Sequence, residues 1–205
     1  MQGRRQGSLA VWSCVAVVLA VLPCGLPSQV LAQAPAPTVQ IDAALLARAN
    51  AGDSAAQIGV GEAYVAAPGK AQDCKLAAGW YEKSAAQSSL SAALHLAALY
   101  RDGCKSLPRD MAQAAAWYRK AAELGDVGAQ GTLGTLYFMG QGVAQNYVEA
   151  YFWLDLAARA PSPRQQQYAA NRQMVGMHIT TDDVDAARER VDNWLAAHPR
   201  KAALQ

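Results

Sequence analysis

The sequence predicts an all-α protein: an α/α solenoid of about three copies of a helix-turn-helix unit, with capping helices at both ends. Three observations carry this. Residue columns recur at steps of 36 and 37 along the middle of the chain. Within each copy the apolar residues fall at i, i+3, i+4 and i+7, the spacing of a buried helical face. Alanine supplies 45 of the 205 residues, which suits helices stacked at short range, and no segment alternates as a strand would. A period of this length marks architectures in which each unit buries its apolar face against its neighbours.

The elements follow in chain order. Arg4 and Arg5 open the chain and are followed by an apolar run, Leu9 to Leu22, and then by Val30-Leu31-Ala32. A positive start, a short apolar stretch and a small-residue cleavage site are the parts of a secretory signal peptide, here residues 1–32 with cleavage after Ala32. The protein is therefore expected to be periplasmic or secreted. A retained anchor is the alternative, but the 14-residue run falls short of the roughly 20 needed to span a bilayer. Lipid attachment at Cys24 would have to tolerate Pro23 before it, and Arg4-Arg5 lacks most of a twin-arginine motif. Residues 33–41, with Pro35 and Pro37, read as a flexible leader. No second apolar segment approaches spanning length, so no stable membrane insertion is expected once the signal is removed.

Removing residues 1–32 takes away two arginines and no acid, leaving 16 Lys+Arg against 16 Asp+Glu. A neutral chain has no global charge to pull it onto nucleic acid or an anionic membrane. Cys74 and Cys104 remain, an even pair in an oxidising compartment, and a disulfide is the ordinary outcome. A metal site would want more ligands, and a cysteine nucleophile would want a nearby base.

The repeat body spans 42–160. Gly52-Asp53, Ser88-Ser89 and Gly125-Asp126 occupy one column. Ala56, Ala92 and Ala129 follow, then Val60, Leu96 and Leu133, then Tyr64, Tyr100 and Tyr137. These define the first helix of each unit. A small-residue column, Gly61, Ala97 and Gly134, lets a neighbouring helix approach closely, which accounts for glycines that otherwise cost about 1 kcal/mol in a helix. The second helix begins after Asp73, Asp110 or Asn146, residues whose short side chains cap free backbone N–H groups. Its stripe is Ala77, Trp80, Tyr81 and Ser84 in unit one. Units two and three repeat it as Ala114, Trp117, Tyr118, Ala121 and as Ala150, Trp153, Leu154, Ala157. Asp42 to Ala51 reads as the back half of a preceding unit. Residues 161–205 carry two capping helices, one from Arg164 to about His178. The other runs from Thr181 to His198, with Val184, Ala187, Val191 and Leu195 on one face and Pro199 as its stop.

These columns resemble Sel1-like repeats, relatives of tetratricopeptide repeats. Ala112 to Asp126, with Trp117-Tyr118-Arg119-Lys120-Ala121-Ala122 and Gly125-Asp126, matches the family pattern, as does Leu133-Gly134-Thr135-Leu136-Tyr137 followed by Gly140-x-Gly142-Val143. Unit one lacks the Gly-x-Gly-Val loop, and unit two replaces it with Gly103-Cys104 and an insertion. The resemblance implies an α/α solenoid that acts as a protein-binding scaffold. Some cysteine-rich secreted relatives are described as binding penicillin, even as weak β-lactamases, and they bridge two helices within one repeat. Here the stacking implied by the family brings Cys74 of unit one and Cys104 of unit two together as a staple between repeats, a departure that weakens the carry-over of that activity.

Chemical motifs are scarce. No lysine has a serine three residues before it, so the serine β-lactamase signature is missing, as are Gly-x-Ser-x-Gly, His-Glu-x-x-His and a P-loop. Gly59-x-Gly61 reads as packing. Asp182, Asp183 and Asp185 read as an acidic helix start rather than a metal cluster. No cofactor, no metal site and no catalytic residue are expected. What remains is the concave face, made mainly by first helices, where residues outside the core columns vary between units. Gln57, Glu62, His95, Gln130, Thr132 and Thr135 are the expected contacts for a protein or peptide partner. The leading reading is a non-catalytic scaffold of the bacterial envelope; the alternative is a β-lactam or cell-wall-directed hydrolase.

Overall fold

The computed structural model describes residues 39–68 and 72–199. The signal peptide and residues 33–38 of the leader lie outside the described residues, as do residues 200–205. The described residues form nine helices: α1 (Ala43–Asn50), α2 (Ser54–Ala66), α3 (Cys74–Ala85), α4 (Leu90–Asp102), α5 (Met111–Glu123), α6 (Val127–Met139), α7 (Tyr147–Ala158), α8 (Gln165–Gly176) and α9 (Thr181–Ala197). Among them the only strand-like pairing is a single bridge between Cys104 and Leu107. No helix among the described residues is long and apolar enough to cross a membrane.

All the described helices but α8 start where a short polar side chain holds one of the first N–H groups. The carboxylates of Asp73 and Asp110 accept from the backbone at the starts of α3 and α5, and the Asn146 side-chain oxygen does so for α7. Each such cap contributes about 1 kcal/mol. Asp53, Ser89 and Asp126 do the same for the first helices, accepting from Ala56, Ala92 and Ala129. A second recurring bond closes each unit. The carbonyls of Tyr64, Tyr100 and Tyr137 accept from the backbone N–H of Asp73, Asp110 and Asn146 at 3.2, 2.8 and 3.0 Å. Loop end and loop start are thus tied directly, so the three loops can differ in sequence without moving the helices they join. In the third loop Gly142 has φ +72°, and a Cβ there would sit 2.0 Å from the carbonyl oxygen of Met111, so the backbone of α5 excludes any side chain.

Within units α2 packs on α3, α4 on α5 and α6 on α7; between units α3 packs on α4 and α5 on α6, and α1 covers α2. The small-residue column does what its spacing predicts. A Cβ on Gly61 would meet the Tyr81 ring at 2.5 Å, and one on Gly134 would meet Leu154 Cγ at 2.7 Å, each from the second helix of its own unit. Val60, Leu96 and Leu133 are fully buried. The tryptophan column departs from its expected place in the core. Trp80 and Trp117 are only half-buried, with the ammonium groups of Lys83 and Lys120 lying 4.0 and 3.7 Å from their ring centroids. Only Trp153 is buried, because only α7 has further helices packed over its outer side.

Those helices are α8 and α9, which both pack on α7 more than on each other. The whole run Ala150–Ala158 is buried as a result, including the carboxylate of Asp155. Arg172 of α8 reaches Asp155, Arg159 Nη2 lies 2.8 Å from it, and Arg159 also binds Asp192 of α9. One buried acid therefore ties three helices. The acids at the start of α9 cap it: Thr180 and Asp183 exchange bonds in a capping box.

Candidate partner-binding face

The six residues expected to read a partner separate into two groups. Gln57 and Gln130 are not available. They are 5% and 0% exposed, and each donates from Nε2, at 3.2 Å, to the last turn of the preceding second helix, at the carbonyls of Ala49 and Ala122. Gln57 also accepts from Gln87 Nε2 at 3.1 Å. Their expected place on the open face is corrected by this geometry: a glutamine four residues after the N-cap points back into the joint between units, where its amide satisfies a carbonyl that the helix end leaves free. Thr132 and Thr135 are partly exposed but donate to the carbonyls of Gly128 and Gly131 on their own helix, each at 2.9 Å.

Glu62 and His95 are brought together. They come from the first helices of adjacent units, and Glu62 Oε1 lies 3.4 Å from His95 Nε2, with side chains 56% and 35% exposed. At that exposure the pair contributes little to stability and both groups remain open to a partner. The His95 imidazole stacks on Tyr81, centroids 4.9 Å apart and planes within 12°. Burial, with the nearby Glu62 charge adding to it, pushes the Tyr81 hydroxyl up to about 12, so it stays protonated across the neutral range.

Tyr81 and His95, the latter paired with Glu62, border a hollow of 200 Å³ between α3 and α4. Val65 and Leu99 line it, and the bond between Cys74 and Cys104, whose Cα atoms are 6.4 Å apart, forms part of its wall. Gln72 and Asp102 add polar groups. Asp102 is held by both ends of the Arg101 guanidinium, which keeps its carboxyl below the usual range. Ligand pockets typically run from about 300 Å³ upward, so this hollow suits one anchoring side chain of a peptide better than a whole small molecule. A larger hollow of 580 Å³ lies where Leu124 and Val127 face Trp194, His198 and Pro199. No group of three or more His, Cys, Asp or Glu able to hold a metal occurs among the described residues.

Sequence reasoning missed the contacts that join successive units near this face. Glu82 bonds the Tyr100 hydroxyl, and Arg119 bonds that of Tyr137. The signal was present: Glu82, which accepts from its tyrosine, and Arg119, which donates to its own, both sit two residues after the tryptophan column and one unit before the tyrosine they reach.

Fold and spacing together define a helical repeat protein. The Sel1 repeat pattern matches residues 54–89, 90–126 and 129–162, just over half of the chain, and the protein belongs to the Sel1 repeat family. Two solved structures are similar. One is a protective antigen present in uropathogenic Escherichia coli strains displaying an SLR fold, with a TM-score of 0.60, 27% identity and 78% of this chain covered. The alignment spans 36% of that antigen's length. The other is a Sel1 repeat protein from Oxalobacter formigenes, with a TM-score of 0.53, 28% identity, 62% of this chain covered and 96% of the other. None of the curated proteins compared matches the chain.

Proposed function

We propose that the protein is a non-catalytic interaction scaffold of the bacterial envelope, holding a peptide or small protein partner against its first-helix face. Sel1 repeats generally serve as protein-interaction scaffolds. The observation that carries the reading is the convergence of Glu62 and His95 from separate repeats beside a hollow large enough for one side chain. Glu62 accepts hydrogen bonds from a partner, His95 can donate or accept, and the apolar wall seats an aliphatic or aromatic anchor. An oxidising compartment is favoured by the Cys74–Cys104 bond and by the sequence of residues 1–32.

The test is capture from envelope extracts with the wild-type chain, a Glu62→Ala/His95→Ala double variant, and Leu76→Ala on the exposed side of α3 as a control. The scaffold reading expects a partner retained by wild type and control and lost by the double variant. Equal recovery by all three would remove the assignment of this face. Turnover of nitrocefin abolished by a single substitution would favour the hydrolase instead.

A further inference from the structure

The end of α8 and the turn that follows it carry three exposed side chains with soft or borderline donor atoms, which neither the repeat columns nor the partner face uses. Met174 is 44% exposed and Met177 75%, and His178 follows in an exposed position. Large apolar side chains that reach no core gain nothing from burial, and nothing in the repeat pattern calls for them here. Their spacing is i, i+3 and i+4. The turn is held helical by bonds from Met177 N–H to Met174 and from His178 N–H to Val175, at 3.2 and 3.0 Å. In so tightened a turn, residues three apart lie one above the other, and the residue four along stands beside them. Val175 and Gly176 point the other way, Val175 into the core and Gly176 toward the Tyr151 ring. Two thioethers and an imidazole therefore share the outward side of one helix end.

The imidazole is also held. His178 stacks on Tyr147 with centroids 4.8 Å apart and planes within 17°, and Phe138 flanks it at 5.8 Å. The ring's two neighbours come from the end of α6 and the start of α7, so three helices fix where it stands.

The geometry points to a binding site for a soft monovalent metal cation, the Cu(I) and Ag(I) class, with Met174, Met177 and His178 as ligands. Thioether sulfur is a soft donor that selects such ions over hard divalent ones. Unlike a thiol, it needs no deprotonation and forms no disulfide, so it is a ready ligand in an oxidising compartment. Among the described residues no cluster of His, Cys, Asp and Glu offers a metal site, and this donor set is of a different kind. The proposal stands apart from the scaffold reading, since the residues differ from those of the first-helix hollow.

The full chain with methyl-labelled methionines is treated with an alkylating agent without reduction. Free thiols are thereby blocked and Cys74–Cys104 stays closed. It is then titrated with Ag(I), with Cu(I) under ascorbate, and with Zn(II), while the methionine methyl resonances are followed. The site predicts that the Met174 and Met177 methyls shift together to saturation at one Ag(I) or Cu(I) per chain. Met111, packed against the core, should stay still. Met177→Leu or His178→Ala should weaken the Met174 response by at least the roughly 10- to 100-fold that loss of even an outer-shell partner costs. Met177→Leu leaves the His178 stacking on Tyr147 in place, so it separates loss of a ligand from loss of packing. A Met174 response that persists unchanged in both variants, an equal response to Zn(II), or no response to Ag(I) would each overturn the proposal.

Discussion

Ser88 carries a strain that its counterparts avoid. It occupies the column of Gly52 and Gly125, in the turn where one unit hands over to the next, and all three have positive φ: 61°, 95° and 91°. An L-residue there costs on the order of 1–2 kcal/mol that glycine does not. Ser88→Gly should therefore raise stability by about 1 kcal/mol, read as a higher urea midpoint; an unchanged or lower midpoint would show that the serine side chain compensates. Two glycines inside helices give the opposite contrast. Gly79 has nothing within 4 Å of a built Cβ, whereas Gly134 faces Leu154 and the backbone of Ala150. Gly79→Ala should stabilise by about 0.5–1 kcal/mol, and Gly134→Ala should destabilise by about 1–3 kcal/mol through overpacking. The small-residue column was legible because the same class of side chain recurs at the same step. The burial of Gln57 and Gln130 was not. Their polarity and the Ala93 between them look like a free surface, and only the backbone path shows that each amide reaches a helix end eight residues back.

Every described helix except α8 is started by a side-chain cap. Asp53 caps α2 through the N–H of Ala56 and pairs with Arg48, and both hold its carboxyl below the usual range. A folded value below the unfolded one means that the contribution is complete above the ordinary aspartate pKa of about 3.9 and fades as pH falls through the depressed value. Asp53→Asn keeps a capping oxygen without the charge. The wild type should thus be the more stable of the two at neutral pH, and the gap should close in acid; a gap independent of pH would refute the charge account. The caps at Asp73, Asp110 and Asn146 could be read from residue type and position alone, and the helices begin there. The docking of α9 on α7 could not, since an amphipathic stripe says that a face is buried but not against what. One clue lay in Tyr151-Phe152-Trp153-Leu154-Asp155-Leu156, where a lone acid in an apolar run demands a cationic partner, and the partly exposed Arg159 and Arg172 supply it.

Across the whole molecule, the repeats spend their apolar residues on one another, and the staple between units one and two holds the end that carries Glu62 and His95. A closed loop of about 30 residues contributes roughly 3–4 kcal/mol by chain entropy, so this bond preserves the spacing of two side chains borne on different repeats. The overall architecture was readable because three copies repeat one pattern. The binding face was only half readable, because variation between copies marks buried joints as well as open surface. The account rests on the first-helix face being where a partner sits, and site-specific photo-crosslinking in the native cell tests that most directly. A photoreactive residue in place of Ala98 on α4, in the lining of the hollow, is compared with one in place of the exposed Leu76 on α3. The account predicts a discrete crosslinked partner from position 98 and none from position 76. The same partner captured from position 76 alone would contradict it.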